Sequence, residues 1–254
     1  MRYRTLNAEA SPLVRRFAVN ENGRDLIVGD IHGCFDKLQA RLDAVGFDPA
    51  AGDRLFSVGD LVDRGPQSDA VLDWLEKPWF HPVLGNHEQM ALLCTLGEQD
   101  EDEYRANGGE WFLRSSSDRR DQIARRLAGL PVAIELGTAL GTVGIVHADC
   151  PAEVWSDFTE ALESDPDEEL REGLVESALW SRDRCLDWCE DEVEGVRAVV
   201  VGHTAMTRWM TLGNVIYIDT GAWMADDARD FCLLDAASLR PVNGQPPFPR
   251  MPHA

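Results

Sequence analysis

The chain has 254 residues, 44% of them hydrophobic, enough to bury one full core without requiring a second domain. Its 45 acidic residues against 24 basic ones give a formal charge of -21, which repels phosphate backbones and anionic headgroups and so argues against nucleic acid or membrane partners. No apolar run is long enough to span a bilayer, and the amino end lacks the apolar core of a signal peptide. The expectation is therefore a cytoplasmic protein, one domain over 1–254 with a proline-rich tail from about 241.

In chain order, five apolar, β-branched stretches read as strands, at 25–28, 54–58, 79–84, 142–146 and 197–201. Each runs into a polar signature: GDIHG at 29–33, GDLVDRG at 59–65, GNHE at 85–88, VHAD at 146–149 and GHT at 202–204. Between the first three lie helical patterns, with Phe35, Leu38, Leu42 and Val45 on one stripe, then 70–75, then 87–96. Strand, loop and helix in alternation predict an α/β chain with a parallel or mixed sheet, whose ligands bind outside the carboxyl ends of the strands. Residues 100–130 read as an inserted helical layer between the sheet halves, and 153–188 as a second, acidic one. Further strands are expected at 214–218 and 231–234, in the second half of the sheet, before the tail with Pro241, Pro246, Pro247, Pro249 and Pro252. The acidic runs at 165–169 and 190–194 read mainly as a solvated face; adaptation to high salt, or a surface that attracts basic phosphosubstrates, is the minority reading. Six irregularly spaced cysteines read as reduced, largely buried thiols.

Carboxylate, imidazole and amide donors in this order suit a pair of divalent cations, Mn, Fe, Zn or Mg. Asp30 and His32, two apart in an extended segment, would grip one cation from the same face. Asp60 has two oxygens that would bridge both cations, and Asn86, His147 and His203 would complete the second site. Such a pair activates water and stabilises an in-line displacement, so the nucleophile is expected to be a metal-held hydroxide. His87 is the candidate general acid and Asp63 the group that orients it. Arg64, and Arg182 in the run Trp180-Ser181-Arg182, are candidate forks for phosphate oxygens. His81 and His253 fit no signature and read as surface or interface residues, and Asp36 as capping or solvating the first helix. Asp149 reads equally as an orienter of His147 or a turn carboxylate, and Asp219 as structural.

Taken together, GDIHG, GDLVDRG, GNHE, VHAD and GHT resemble the signature set of the metallophosphoesterases, in particular the phosphoprotein phosphatase branch. GDxHGC at 29–34 and the NGG-x-W run at 107–111 resemble the serine/threonine protein phosphatases of bacteria and bacteriophage lambda. The resemblance implies a four-layer β-sandwich flanked by helices, manganese as activating cation, phosphoprotein substrates, and the roles given above to Asp63, Arg64, His87 and Arg182. Ala205 stands where many wider relatives have a second histidine, which implies fewer protein ligands on the first cation. A symmetrical diadenosine tetraphosphate hydrolase, the competing resemblance, typically lacks the counterparts of Asp63 and Glu88, both present here. A scaffold that has lost catalysis would usually lack a ligand or the acid, and none is missing.

Overall fold

The computed structural model describes residues 2–6, 11–164, 167–226 and 228–248. Its strands are β1 (Val14–Phe17), β2 (Asp25–Val28), β3 (Arg54–Ser57), β4 (Phe80–Pro82), β5 (Ala133–Thr138), β6 (Gly141–Val146), β7 (Ala198–Val201), β8 (Met210–Leu212), β9 (Val215–Tyr217), β10 (Leu233–Asp235) and β11 (Arg240–Pro241). Its α-helices are α1 (Phe35–Ala44), α2 (Val71–Leu75), α3 (Asn86–Leu96), α4 (Glu101–Ala106), α5 (Glu110–Leu113), α6 (Ser117–Leu127), α7 (Trp155–Ser164), α8 (Glu168–Trp180) and α9 (Asp183–Leu186). The strands form two mixed sheets, ordered β1-β5-β6-β7-β9-β8 and β11-β10-β2-β3-β4.

Continuous apolar strands are explained by burial on both faces. In β2 and β3, Ile27 and Phe56 point into a core shared with Ile134, Leu136, Ile145, Val200 and Ile216 of the other sheet. Their neighbours Leu26, Val28 and Leu55 pack instead with Phe35, Leu38 and Leu42 of α1. This period-two alternation separates a sheet-to-sheet core from a sheet-to-helix core and gives the sandwich flanked by helices. The α1 stripe is as the sequence spacing predicts, and its last member, Val45, is the C-cap residue. Helices α4 to α6 lie between the sheets in the chain, but in space α6 packs on α2 and α3, extending one helical layer.

One strand expectation is corrected and another gains its pairing partner. The strand near 231–234 does not join the second sheet: β10 pairs antiparallel with β2, covering what would otherwise be an open edge beside the first signature. The strand at 142–146 is the second arm of an antiparallel hairpin with β5, closed where Thr138 Oγ1 donates to the Gly141 carbonyl at 2.6 Å. The tail begins in β11, and its described part hugs the surface, with Phe248 N donating to the Trp209 carbonyl at 2.7 Å and Trp209 Nε1 to that of Gln245 at 3.0 Å. Residues 249–254, including His253, lie outside the described residues. All six cysteines are free thiols; Cys150 and Cys232 are buried and the other four half-buried, less than expected. Among the described residues no helix is long and apolar enough to cross a membrane.

Candidate metal centre

The signatures lie where the chain leaves β2, β3, β4, β6 and β7, on loops except that Asn86, His87 and Glu88 open α3, and these segments are bonded to one another. Ile31 N and His32 N both donate to the Asp60 carbonyl, at 3.0 and 2.8 Å, and Gly33 N donates to that of Leu61 at 2.8 Å. Glu88, fully buried, is the hub: its carboxylate accepts from Asp60 N, Leu61 N, Val62 N and Gly85 N at 2.8 to 3.2 Å. Burial and the charge of Asp60 push the Glu88 carboxyl up, to about 8, against the pull of these donors. Two signature glycines are there for close approach: a Cβ at Gly85 would collide with Asp60 Oδ1, and one at Gly202 with Asp30 Oδ1.

Seven described non-glycine residues have positive φ, and five of them belong to these loops: His32 (44°), Asp60 (49°), Asp63 (69°), Arg64 (63°) and His203 (61°). The chain therefore enters a left-handed turn at His32 and Gly33, closed by Cys34 N on the Ile31 carbonyl, so Asp30 and His32 do not lie in the one extended run that the spacing predicts. Consequently the two side chains face different partners. Asp30 accepts from His203 N at 3.1 Å through both oxygens, while His32 faces Asp60 Oδ2 at 3.5 Å.

Asp60 stands between two donor sets, His32 with His87 and His147 with His203, the ligand atoms within each set lying within 4.8 Å of one another. Three of the histidines fix one ring nitrogen on a backbone carbonyl: His32 Nδ1 on Val62 (2.9 Å), His147 Nδ1 on Val58 (2.7 Å) and His203 Nε2 on Trp180 (3.2 Å). A carbonyl only accepts, so those nitrogens carry the protons and the opposite ones present lone pairs. The His147 lone pair faces Asn86 Oδ1 at 2.8 Å and Asp60 Oδ1 at 3.3 Å, and His203 Nδ1 faces Asn86 Oδ1 at 3.0 Å. Acceptors thus confront acceptors at contact distance, an arrangement that a cation satisfies.

Electrostatics make the same demand. Burial pushes His32 well below the ordinary imidazole value, lowers His147, and takes His203 down to about 3, so these rings are neutral and fit to ligate. Burial also opposes charge on Asp60, yet His147, His87, His32 and His203 around it hold its pKa below the carboxylate range. With His32, His147 and His203 neutral, a divalent cation bound among them would favour the charged carboxylate in their place. Burial, Asp219 and Asp60 likewise push Asp30 well up in the absence of a counter-charge. By donor chemistry the residues fit divalent metal ions.

Beside this cluster, His87 Nδ1 meets Asp63 Oδ2 at 2.7 Å, and its Nε2 lies 3.9 Å from Asp60 Oδ2. Asp63 Oδ1 accepts from Trp111 Nε1 at 2.6 Å and Tyr104 OH at 3.2 Å. Tyr104 had no sequence signal, and Trp111 was marked only by the NGG-x-W resemblance. Burial and then Asp63 push the Tyr104 hydroxyl well up, so it remains a neutral donor. The exposed Arg64 guanidinium contacts His32 Nε2 at 2.9 Å, and Arg182, also exposed, is near enough for its charge to lower both His147 and His203.

The remaining assignments divide. Asp149 accepts from Cys150 N at 2.8 Å and Arg184 Nε at 3.0 Å, the turn-carboxylate reading, while Val58 orients His147. Asp36 lies exposed in the first turn of α1. His81 is half-buried against Phe17 and Phe56, centroids at 4.6 and 5.3 Å, rather than on the surface. Asp219 is buried beside Asp30, and burial pushes its carboxyl up, to about 6; its Oδ2 and Trp223 Nε1 both lack a hydrogen bond of ordinary geometry.

Over 199 residues the chain is 38% identical to Serine/threonine-protein phosphatase 1 of Salmonella typhimurium, spanning 77% of this chain and 85% of that protein. A symmetrical Bis(5'-nucleosyl)-tetraphosphatase of Dechloromonas aromatica is 49% identical, but over 72 residues, 28% of this chain and 26% of that one. In fold, a crystal structure of a cold-active protein-tyrosine phosphatase from a psychrophilic Shewanella matches 93% of this chain and 80% of that one, with a TM-score of 0.60 at 19% identity. The Calcineurin-like phosphoesterase family matches residues 24–207, and the chain with its paired sheets and buried Asp and His donors belongs to that family of metallophosphoesterases.

Proposed function

We propose that this chain is a phosphomonoesterase dependent on two divalent cations, manganese first among them, that removes phosphate from serine and threonine side chains of phosphoproteins. The observation that carries the reading is Asp60, one carboxylate shared by two histidine-containing donor sets. In this reading Asp30, brought to the cluster at His203 N, would join His32 and Asp60 on one cation, His87 of that donor set being kept as the acid, and Asp60, Asn86, His147 and His203 would hold the other. Bound there, the cations supply charge neutralisation and an acidified water.

The chain's own residues do the rest. Arg64 and Arg182 receive the phosphate oxygens as forked donors and set the phosphorus in line. His87, its Nδ1 fixed on Asp63, is left with Nε2 free to give a proton to the departing alkoxide. Trp111 and Tyr104 hold Asp63 through its other oxygen, so the carboxylate that fixes the ring is itself fixed. Asp63 and Glu88, and a match to a protein phosphatase over 77% of the chain, favour a phosphomonoester over a dinucleotide substrate. The acidic surface is in keeping with protein rather than nucleic acid partners.

The test is to strip the protein of metal, restore manganese, and offer p-nitrophenyl phosphate, a phosphoserine peptide and diadenosine tetraphosphate. Turnover of the first two is expected. Preferential cleavage of the dinucleotide would support the competing hydrolase, and no turnover of any would support a scaffold.

A further inference from the structure

A residue outside every signature sits on the phosphate-binding side. Trp223 lies in the connection from β9 to β10, and the Arg64 guanidinium carbon stands over its ring at 4.3 Å from the centroid. The same indole meets the His32 ring edge-on, centroids 4.8 Å apart. Arg64 is thus confined on two sides, by the face of Trp223 and by His32 Nε2 at 2.9 Å.

The backbone carrying Trp223 is anchored on both sides. Met224 N donates to the Gly221 carbonyl at 3.0 Å, which places Trp223 within a tight turn. Before it, Gly221 N donates to Asp219 Oδ1 at 2.8 Å, and Lys37 Nζ in α1 donates to the Ala222 carbonyl at 2.8 Å. After it, Lys37 Nζ reaches the Arg229 carbonyl, also at 2.8 Å, Arg41 pairs with Asp230, and Arg229 Nη1 reaches the Met206 and Thr220 carbonyls. One lysine therefore clamps the connection upstream and downstream of the indole. Arg64 needs such support: it is an exposed side chain on a left-handed backbone position, with long rotamer freedom to lose before it can meet a phosphate in one geometry.

We infer that Trp223 is a positioning residue for phosphate recognition: its ring face holds the Arg64 guanidinium ready to receive phosphate oxygens. The inference rests on the reading of Arg64 given under Proposed function. Aromatic support of a guanidinium beside a partly dry site predicts a roughly five- to tenfold effect on phosphate affinity. It predicts little effect on the chemical step or on metal content.

The experiment uses the manganese-loaded full chain with p-nitrophenyl phosphate and, as a competitive probe, inorganic phosphate. Trp223→Leu keeps bulk and removes the π face, Trp223→Phe restores a face, and Trp223→Ala removes both. Expected is a five- to tenfold rise in KM and in the phosphate inhibition constant for Trp223→Leu and Trp223→Ala. Trp223→Phe should stay within about twofold of wild type, and all three should keep kcat and bound manganese. In an Arg64→Ala background the Trp223→Leu change should add less than twofold, because the group it supports is gone. An equal loss in that background, a wild-type KM for Trp223→Leu, or failure of Trp223→Phe to recover affinity overturns the inference; so does a loss of manganese or kcat. If Trp223→Ala does not fold, the Leu and Phe pair still decides. An Arg64→Ala single variant with unchanged KM would instead remove the underlying reading of Arg64, which separates the two failures.

Discussion

Replacing Glu88 by glutamine tests whether the site is assembled by one buried carboxylate. Glu88 Oε1 accepts from Leu61 N and Val62 N, and Oε2 from Asp60 N and Gly85 N, so every contact is a donor. A glutamine placed either way sets an NH2 against two backbone N–H groups and keeps only the other two bonds. At about 1.5–3 kcal/mol for each bond to a charged acceptor, the gross loss is about 3–6 kcal/mol. Relief from burying one charge fewer returns part of it. A net cost of about 2–4 kcal/mol corresponds to a Tm lower by roughly 5–15 °C in a domain of this size. Because either placement releases at least one N–H group of the Asp60 loop, manganese affinity should fall as well. Burial and Asp60 push this carboxyl up to about 8, so a neutral acid is the rival state. A neutral acid, however, would direct its hydroxyl proton at an N–H from either oxygen, and a cation on Asp60 removes the second cause of the shift. The assay is thermal and denaturant unfolding of wild type and Glu88→Gln with saturating manganese, repeated from about pH 5 to 8. If the folded protein held that proton while the unfolded chain released it, wild-type stability would decline relative to the variant as pH rises across this window. Such a decline, or equal Tm values near neutrality, would refute the argument.

Three further outcomes follow from the same geometry. Asp60→Asn should reduce bound manganese and lower activity by more than about 100-fold, beyond the roughly 10–100-fold typical when only outer partners of a metal are removed; metal analysis showing unchanged content would defeat the bridging assignment. His87→Asn should retain metal but slow a phosphoserine peptide by about 100-fold or more while affecting p-nitrophenyl phosphate far less, since a good leaving group needs no proton. Equal losses on the two substrates would count against His87 as the acid. Trp111→Phe deletes one short bond to Asp63 and leaves Tyr104 in place, so peptide kcat should drop roughly tenfold with manganese unchanged. An unaltered kcat would mean that Tyr104 and His87 suffice to hold Asp63.

The signatures were readable because their chemistry is carried by residue type and by position at strand ends, and both survive in one dimension. GDIHG after 25–28 and GHT after 197–201 are both legible as strand-end signatures, and although β2 and β7 lie in different sheets, His203 N does meet Asp30. The role of Glu88 was not readable in the same way. Its residue type separates two relatives, but its work is to collect N–H groups from a loop that starts 28 residues earlier, which depends on backbone angles. Tyr104 and Trp223 were missed for a related reason: each reaches the site from outside the strand-end loops, one from α4 and one from the return to β10. The strand near 231–234 was placed in the wrong sheet because apolar pattern reports burial, not pairing partner.

The left-handed residues connect these points. His32, Asp60, Asp63, Arg64 and His203 sit in sparsely populated backbone regions at about 1–3 kcal/mol each. Extended backbone would send alternate side chains to opposite faces, and Asp60, Asp63 and Arg64 could not all serve one rim from a single run. Left-handed turns break that alternation, and the cross-loop bonds from Ile31, His32 and Gly33 together with the Glu88 cradle hold them in place. Strain and cradle are therefore two halves of one device. Relaxing the cradle should release the turns before any ligand is lost, which is why Glu88, itself no ligand, is the side chain whose loss is expected to weaken metal binding and stability together.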